Sequence, residues 1–296
     1  MENQSSITLP ETLIVGADGL VGAAMMNWGR EAGIPMIGTT RRSNRLDPHH
    51  IYLDLAEDNV AKWTCPSQIA NAVICAGITR MDACKRDPVA SYRVNADGVF
   101  ALAENLVAQD IFVIYLSSNQ VFDGSVAHRS PDDQVSPVSE YGRQKAAAEQ
   151  QIGRLGYHAA IIRFAKILEP ANPLFMDWAR TLKNQQPIRA FCDMRMAPVP
   201  LSCAVSVICG VVQHQLGGIW QVSGERDISY YEAACFEAQQ LNANQDMVTP
   251  VKTSDHQPCS EPSPTHTTLN TDRVAETLGI TPPNVWDTVK TTFAPH

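Results

Sequence analysis

Tyr115-Leu-Ser-Ser-Asn-Gln-Val-Phe-Asp-Gly124, followed after a polar loop by Ser139-Glu-Tyr-Gly-Arg-Gln-Lys145, decides the fold. Just upstream, Ile111-Phe-Val-Ile-Tyr-Leu116 is an unbroken apolar run, as a strand buried on both faces of a parallel sheet requires. It stops in two serines. Ser139 offers a side-chain oxygen to cap a helix, and that helix carries Tyr141 and Lys145 at i, i+4, on one face. An ammonium beside a phenol favours the phenolate, so Tyr141 can exchange a proton near neutral pH. Ser118 stands at the carboxyl end of the strand, where open α/β sheets bind ligands. Ser118, Tyr141 and Lys145 together read as a proton-transfer site. The Tyr-x-x-x-Lys pair taken alone also fits a solvated helix face with an aromatic at its start.

Toward the N-terminus, Thr12-Leu-Ile-Val15 reads as a buried strand running into Gly16-Ala-Asp-Gly19-Leu-Val-Gly22 and a helix over 20–32. Strand, glycine turn and helix form the context of a dinucleotide fingerprint. Gly16 permits the tight turn, Gly19 lets backbone N–H groups approach a pyrophosphate, and Gly22 allows helix to pack closely on strand. Asp18 and Leu20 belong to the same candidate cofactor turn. The spacing is Gly-x-x-Gly-x-x-Gly, and a purely structural turn is the alternative. The second strand, 35–40, ends in Thr40-Arg41-Arg42, where an NAD site would offer a carboxylate to the ribose. Two guanidinium groups suit a 2′-phosphate instead, so NADP(H) is expected as the preferred cofactor, with NAD(H) as the alternative. An ordinary solvated loop is the plain reading of the same residues.

A third strand, 51–55, brings Asp54 and Leu55 to the adenine end, although aspartate is equally at home in a turn. A fourth, 71–77, ends in Ala76-Gly77, small enough for the chain to pass close to a cofactor. Residues 82–87 are charged and loop-like. A helix follows over 89–108 and carries Asn95, either facing solvent or holding a backbone carbonyl or water beneath the site. The loop 123–138 is a candidate substrate rim, and a sixth strand covers 159–164. This alternation predicts an α/β doubly wound parallel sheet.

After Phe164 the rhythm changes. Helices are expected over 173–184, 201–213, 229–241 and 271–279, with a strand over 218–224, a polar stretch over 242–268, and Trp286 packing the tail. Residues 1–165 are thus read mainly as a dinucleotide-binding domain and 166–296 mainly as a substrate lobe, with about 201–224 returning to the core. Arg195 is the lobe's candidate partner for a substrate phosphate, or else a surface charge.

Composition narrows the classes. The 296 residues carry 31 acidic and 23 basic side chains, a formal charge of -8, with no basic stripe. Nucleic acid is therefore not expected as a partner. Eight scattered cysteines without a close Cys-x-x-Cys pair read as reduced. No apolar run reaches transmembrane length, so a cytoplasmic chain without a membrane partner is expected. No His/Cys/Asp cluster has metal-site spacing, and no metal site is expected.

Taken jointly, these motifs resemble the extended short-chain dehydrogenase/reductases, and among them the dTDP-4-dehydrorhamnose reductase family. Gly16, Gly19 and Gly22 match its cofactor turn. Ser117-Ser-Asn-Gln-Val-Phe-Asp-Gly124 matches its Ser-Thr-Asp-Tyr-Val-Phe-Asp-Gly, and Ser136-Pro-Val-Ser-Glu-Tyr-Gly-Arg-Gln-Lys145 its catalytic segment. Val94-Asn95, Gly218–Gly224, Ser229-Tyr-Tyr-Glu and Leu278-Gly279 match further segments. The resemblance implies hydride transfer from a nicotinamide to the 4-keto carbon of a nucleotide-linked sugar. Tyr141 would donate the proton, Lys145 would orient the nicotinamide ribose, and Ser118 would hydrogen-bond the carbonyl. It also allows a homodimer. The departures fall on the substrate side: Asn119-Gln120 replaces Asp-Tyr, Arg195-Met-Ala-Pro198-Val199 replaces Gly-x-Pro-Thr, and Pro264-Thr-His266-Thr stands where Arg-Pro is expected. A nucleotide-sugar epimerase or dehydratase shares the tyrosine and lysine. A dehydratase, however, needs an acid/base carboxylate that Ser118-Asn119 does not supply. A non-catalytic cofactor-binding regulatory subunit is the remaining alternative.

Overall fold

The computed structural model describes residues 11–66, 68–255 and 263–293. Residues 1–10 and Cys259 lie outside them. The chain begins β1 (Thr12–Val15), α1 (Leu20–Ala32), β2 (Met36–Thr40), β3 (His50–Tyr52), β4 (Asn71–Ile74), α2 (Met81–Arg86), α3 (Pro88–Tyr92). A π-helical segment, Arg93–Gly98, leads into α4 (Val99–Val107), then β5 (Phe112–Ser118), α5 (Glu140–Ile152) and β6 (Ala159–Phe164). Next come β7 (Ile167–Leu168), α6 (Pro173–Lys183), β8 (Ile188–Phe191), β9 (Arg195–Met196), β10 (Val199–Pro200) and α7 (Leu201–His214). The remainder is β11 (Gly218–Val222), β12 (Ile228–Ser229), α8 (Tyr230–Gln240), β13 (Val248–Val251), α9 (Asp272–Leu278) and α10 (Val285–Thr291).

Seven strands form one sheet in the order β11-β6-β5-β4-β1-β2-β3. The β1–β2, β1–β4, β2–β3 and β4–β5 pairings are parallel. Strand order reverses between β1 and β4, the switch point at which doubly wound sheets open a ligand crevice at their carboxyl ends. The expected doubly wound α/β fold is present. Runs such as Phe112–Leu116 are buried residue by residue, because helices cover both faces of such a sheet.

The chain divides into two compact units. One comprises Met1–Ser117, Arg143–Ile162 and Val205–Trp220; the other comprises Ser118–Gly142, Arg163–Ala204 and Gln221–His296. Residues 118–142 thus group with the second unit, unlike a division near residue 165. The first unit's core includes Leu13, Ile74, Leu102, Leu106, Val113 and Tyr115, all fully buried. Each such side chain contributes about 1.5–3 kcal/mol by leaving water. The second unit packs Phe175, Leu182, Met196, Ile228, Ala234 and Val289 around α8. That helix starts in a capping box, with Ser229 and Glu232 each satisfying the other's backbone N–H.

Several local expectations need correction. Residues 82–87, read as a loop, are mostly helix α2: Asp82 lies in its first turn and Lys85 and Arg86 in its last, the order that the helix dipole favours. β3 ends at Tyr52, and beyond it Asp54 turns the chain by accepting from Ala56 N at 3.0 Å. Within the stretch read as polar, β13 pairs in parallel with β8. Trp286 sits on α10, its ring 4.9 Å from Phe236. The seven cysteines among the described residues are free thiols. None of the described helices is long and apolar enough to cross a membrane.

Candidate active site

Close approach explains two of the three glycines after β1. Gly16 has φ +87°, and a β-carbon there would lie 2.8 Å from Ala76 at the end of β4. A β-carbon on Gly22 would lie 2.3 Å from the Gly16 carbonyl oxygen. The turn is therefore folded tightly on itself and against β4, and Gly16 N donates to Thr39 Oγ1 at 3.1 Å. Gly19 begins the 13-residue α1 with no side-chain cap and no acidic residue in the first turn. Its leading N–H groups are left for an anion, as a dinucleotide pyrophosphate requires. Leu20 is the first residue of that helix and is exposed. The residues present fit a dinucleotide.

At the end of β2 the glycine turn meets a polar group. Thr40 donates its hydroxyl to Asp18 Oδ2 at 2.5 Å and accepts from Arg42 N at 3.0 Å. Arg45 Nη1 donates to Asp18 Oδ1 at 2.8 Å, and Arg42 Nε lies 3.9 Å from Oδ2. Partial burial acts to raise the Asp18 pKa, but the Thr40 and Arg45 hydrogen bonds and the two guanidinium charges hold it below the usual carboxylate value. Arg41 is exposed and outside this set of bonds. Arg45 is a member that the sequence did not single out.

Beyond β4, Asn95 projects from the π-helical turn and is 1% exposed. Its Oδ1 accepts from Ile78 N at 2.7 Å, and its Nδ2 donates to Ile78 O at 2.9 Å and to Gln144 Oε1 at 2.8 Å. Gln144 in turn donates to Ser91 Oγ at 2.8 Å. Asn95 thus holds backbone, as one of its two sequence readings had it. A β-carbon on Gly77 would lie 3.0 Å from Asn95 Oδ1 and 4.0 Å from Lys145 Nζ. Ala76, Gly77, Asn95 and Lys145 are brought together here, whereas Asp54 stays in its own turn. Leu55 is buried, and a β-carbon on Gly98 would lie 2.0 Å from its carbonyl oxygen.

Lys145 is 4% exposed. Its ammonium donates to Leu116 O at 2.8 Å and lies 4.6 Å from the centre of the Tyr115 ring. Burial lowers its pKa to about 8, with Glu149 one turn further along α5 opposing the shift. Near neutral pH it stays a cation in a site where charge is weakly screened.

In the second unit, Ser118 closes β5 and caps the short turn Asn119–Val121. Its hydroxyl accepts from Gln120 N at 3.2 Å and donates to Asn119 Oδ1 at 3.3 Å. A β-carbon on Gly142 would lie 2.1 Å from the Gln120 carbonyl oxygen. The start of the tyrosine helix is thereby pressed against the Ser118 turn, and Ser139 Oγ accepts from Gly142 N at 3.0 Å as the cap expected there. Tyr141 is buried. Arg195 is exposed on β9, paired with Ser229 of β12. Among the described residues, no group of three or more His, Cys, Asp or Glu side chains could hold a metal ion.

The sheet order, glycine turn and tyrosine–lysine helix define an extended short-chain dehydrogenase/reductase fold. A family model described as the RmlD substrate binding domain matches residues 11–295, and the chain belongs to that family. It is 26% identical over 282 residues to a dTDP-4-dehydrorhamnose reductase of Mycolicibacterium smegmatis, covering 93% of this chain and 82% of the relative. It is 24% identical over 291 residues to methionine adenosyltransferase 2 subunit beta of Bos taurus, covering 95% and 86%. A solved structure of dTDP-4-dehydrorhamnose reductase from Bacillus anthracis, in complex with NADP, shares the fold with a TM-score of 0.82 at 19% identity, covering 97% of this chain and 98% of that one.

Proposed function

We propose that the chain is an NAD(P)H-dependent reductase of a 4-keto nucleotide-linked sugar. The observation that carries this reading is the pair on α5: a tyrosine, and one turn on a buried lysine fixed by Leu116 O at 2.8 Å. The nicotinamide supplies the hydride when bound. Tyr141 gives its phenolic proton to the carbonyl oxygen as that oxygen gains charge. Lys145 favours the phenolate that remains and offers its N–H groups to the nicotinamide ribose. Ser118 has a hydroxyl free to turn from Asn119 toward the substrate oxygen, a hydrogen bond that strengthens as charge develops. Gly16, Asp18, Gly19, Leu20, Gly22, Thr40, Arg42, Ala76 and Gly77 form the cofactor-binding surface. Arg41, Asp54, Leu55 and Asn95 border or support it. Asn119, Gln120 and Arg195 are the substrate-side groups in this reading. The similarity to a reductase of dTDP-4-dehydrorhamnose supports the substrate class. The similarity to a subunit beta favours a non-catalytic second reading, against which the retained Ser118, Tyr141 and Lys145 weigh. We further propose that the chain acts in the cytoplasm, as a homodimer.

Oxidation of NADPH and NADH, followed at the nicotinamide absorbance against a panel of 4-keto nucleotide sugars, tests this. Substrate-dependent oxidation that Tyr141→Phe abolishes, with cofactor binding retained, is the expected result. Cofactor binding without turnover on any sugar would sink the reductase reading.

A further inference from the structure

In a doubly wound sheet, the carboxylate that accepts the adenosine ribose hydroxyls stands at the end of the second strand. Here β2 ends in Thr40 and is followed by arginines, so that position holds no acid. A carboxylate nevertheless reaches the same place, from Asp18 in the glycine turn, through the Thr40 hydroxyl at 2.5 Å. It is also the anion that Arg45 and Arg42 already face, at 2.8 and 3.9 Å. The guanidinium groups suited to a 2′-phosphate are thus occupied from within, and Thr40 spends its single hydroxyl proton on Asp18.

The geometry points to Asp18 as the residue that sets cofactor specificity, acting as an internal anion that disfavours a 2′-phosphate and accepts a 2′-hydroxyl. This rests on the dinucleotide reading above. When the ribose carries a hydroxyl, Asp18 is a ready acceptor and the arginines remain neutralised. When it carries a phosphate, Arg42 and Arg45 must exchange one anion for another, and the carboxylate left beside the phosphate repels it. The chain therefore takes both cofactors, with a preference for NADPH weaker than its arginines alone would give.

The test is equilibrium binding of NADPH and NADH to the full chain by titration calorimetry, with adenosine 2′,5′-bisphosphate and AMP as probes of the ribose end alone. Asp18→Asn keeps shape and removes charge. It is expected to tighten NADPH and the bisphosphate about tenfold while leaving NADH and AMP unchanged or weaker. Arg45→Met is a second variant, expected to weaken NADPH several-fold with little effect on NADH. A ratio of NADPH to NADH affinity that Asp18→Asn leaves within about twofold of the parent, or moves toward NADH, overturns the inference. So does an Arg45→Met chain with unchanged NADPH affinity. If the parent chain binds neither dinucleotide, the functional reading falls as well. If it binds both and the variants shift nothing, only this inference falls.

Discussion

Asn95 grips both main-chain polar groups of Ile78, accepting from its N–H at 2.7 Å and donating to its carbonyl at 2.9 Å. The π-helical turn that presents Asn95 holds the chain just beyond β4, next to Gly77 and Lys145. Asn95→Ala would take the side-chain acceptor from the half-buried Ile78 N–H and one donor each from Gln144 Oε1 and from Ile78 O, the latter keeping Cys84 Sγ at 3.3 Å. A stability loss of about 2–3 kcal/mol in urea unfolding is expected. Weaker cofactor binding should accompany it, and a variant with unchanged stability would show that Ile78 is satisfied by other means.

Lys145 is held near pKa 8, below its ordinary value of 10.5, by burial. Between these values the unfolded chain binds the extra proton, so this group's contribution to stability rises with pH across the window. Below pH 8 the full cost of burying the cation is present. The stability difference between the parent chain and Lys145→Met should therefore grow in the parent's favour from pH 8 to 10. In the proposed reaction the cation is needed, so kcat/KM should fall on the alkaline side with an apparent pKa near 8.

Glu237 shows the opposite sign. It is fully buried on α8, with neither carboxylate oxygen in a geometrically sound hydrogen bond. Burial raises its pKa from 4.5 to about 8, against weak relief from the Ala179 backbone and Lys183. The folded chain holds the extra proton between those values, so its contribution to stability falls as pH rises through them. Glu237→Gln should match the parent below pH 4.5 and be the more stable protein at pH 8 and above. Parallel unfolding curves for the two across pH would contradict that account.

Gly142 leaves no room for a side chain, because a β-carbon would lie 2.1 Å from the Gln120 carbonyl oxygen. Gly142→Ala must push the start of α5 off the Ser118 turn. Turnover should drop by about a hundredfold or more, while NADPH affinity changes far less. An unchanged kcat would mean that the tyrosine does not need this contact.

Much of the fold was legible because its signals are local. Apolar runs at β1, β4, β5 and β6, and the glycines between β1 and α1, decide their own structure whatever lies elsewhere. β8 and β13 are different. Each is four residues long and exists through a partner some sixty positions away, so neither short run announced itself, and β13 lay within a stretch that read only as polar. The short helix α2 was hidden by its charges, which are placed by helix-end electrostatics rather than by solvation. At the site, Tyr141 and Lys145 announced themselves by spacing. Gln144, standing between them, reaches Ser91 and Asn95 in ways only the folded chain reveals. Arg45 likewise gave no signal, since its relation to Asp18 spans a strand and a turn.

The order in which the sheet is threaded has a consequence for synthesis. β6, buried at every residue, borders β11 in the sheet, and β11 lies at Gly218–Val222. A nascent polypeptide that has just released residue 165 from the ribosome therefore owns six of the seven strands, with β6 left as an open edge in place of β11. Until more than fifty further residues have emerged, that edge offers unpaired N–H and carbonyl groups to any neighbouring chain. A polypeptide stopped at 165 would keep the nucleotide fingerprint and be expected to aggregate, so in the cell this sheet depends on a segment made well after its own glycine turn.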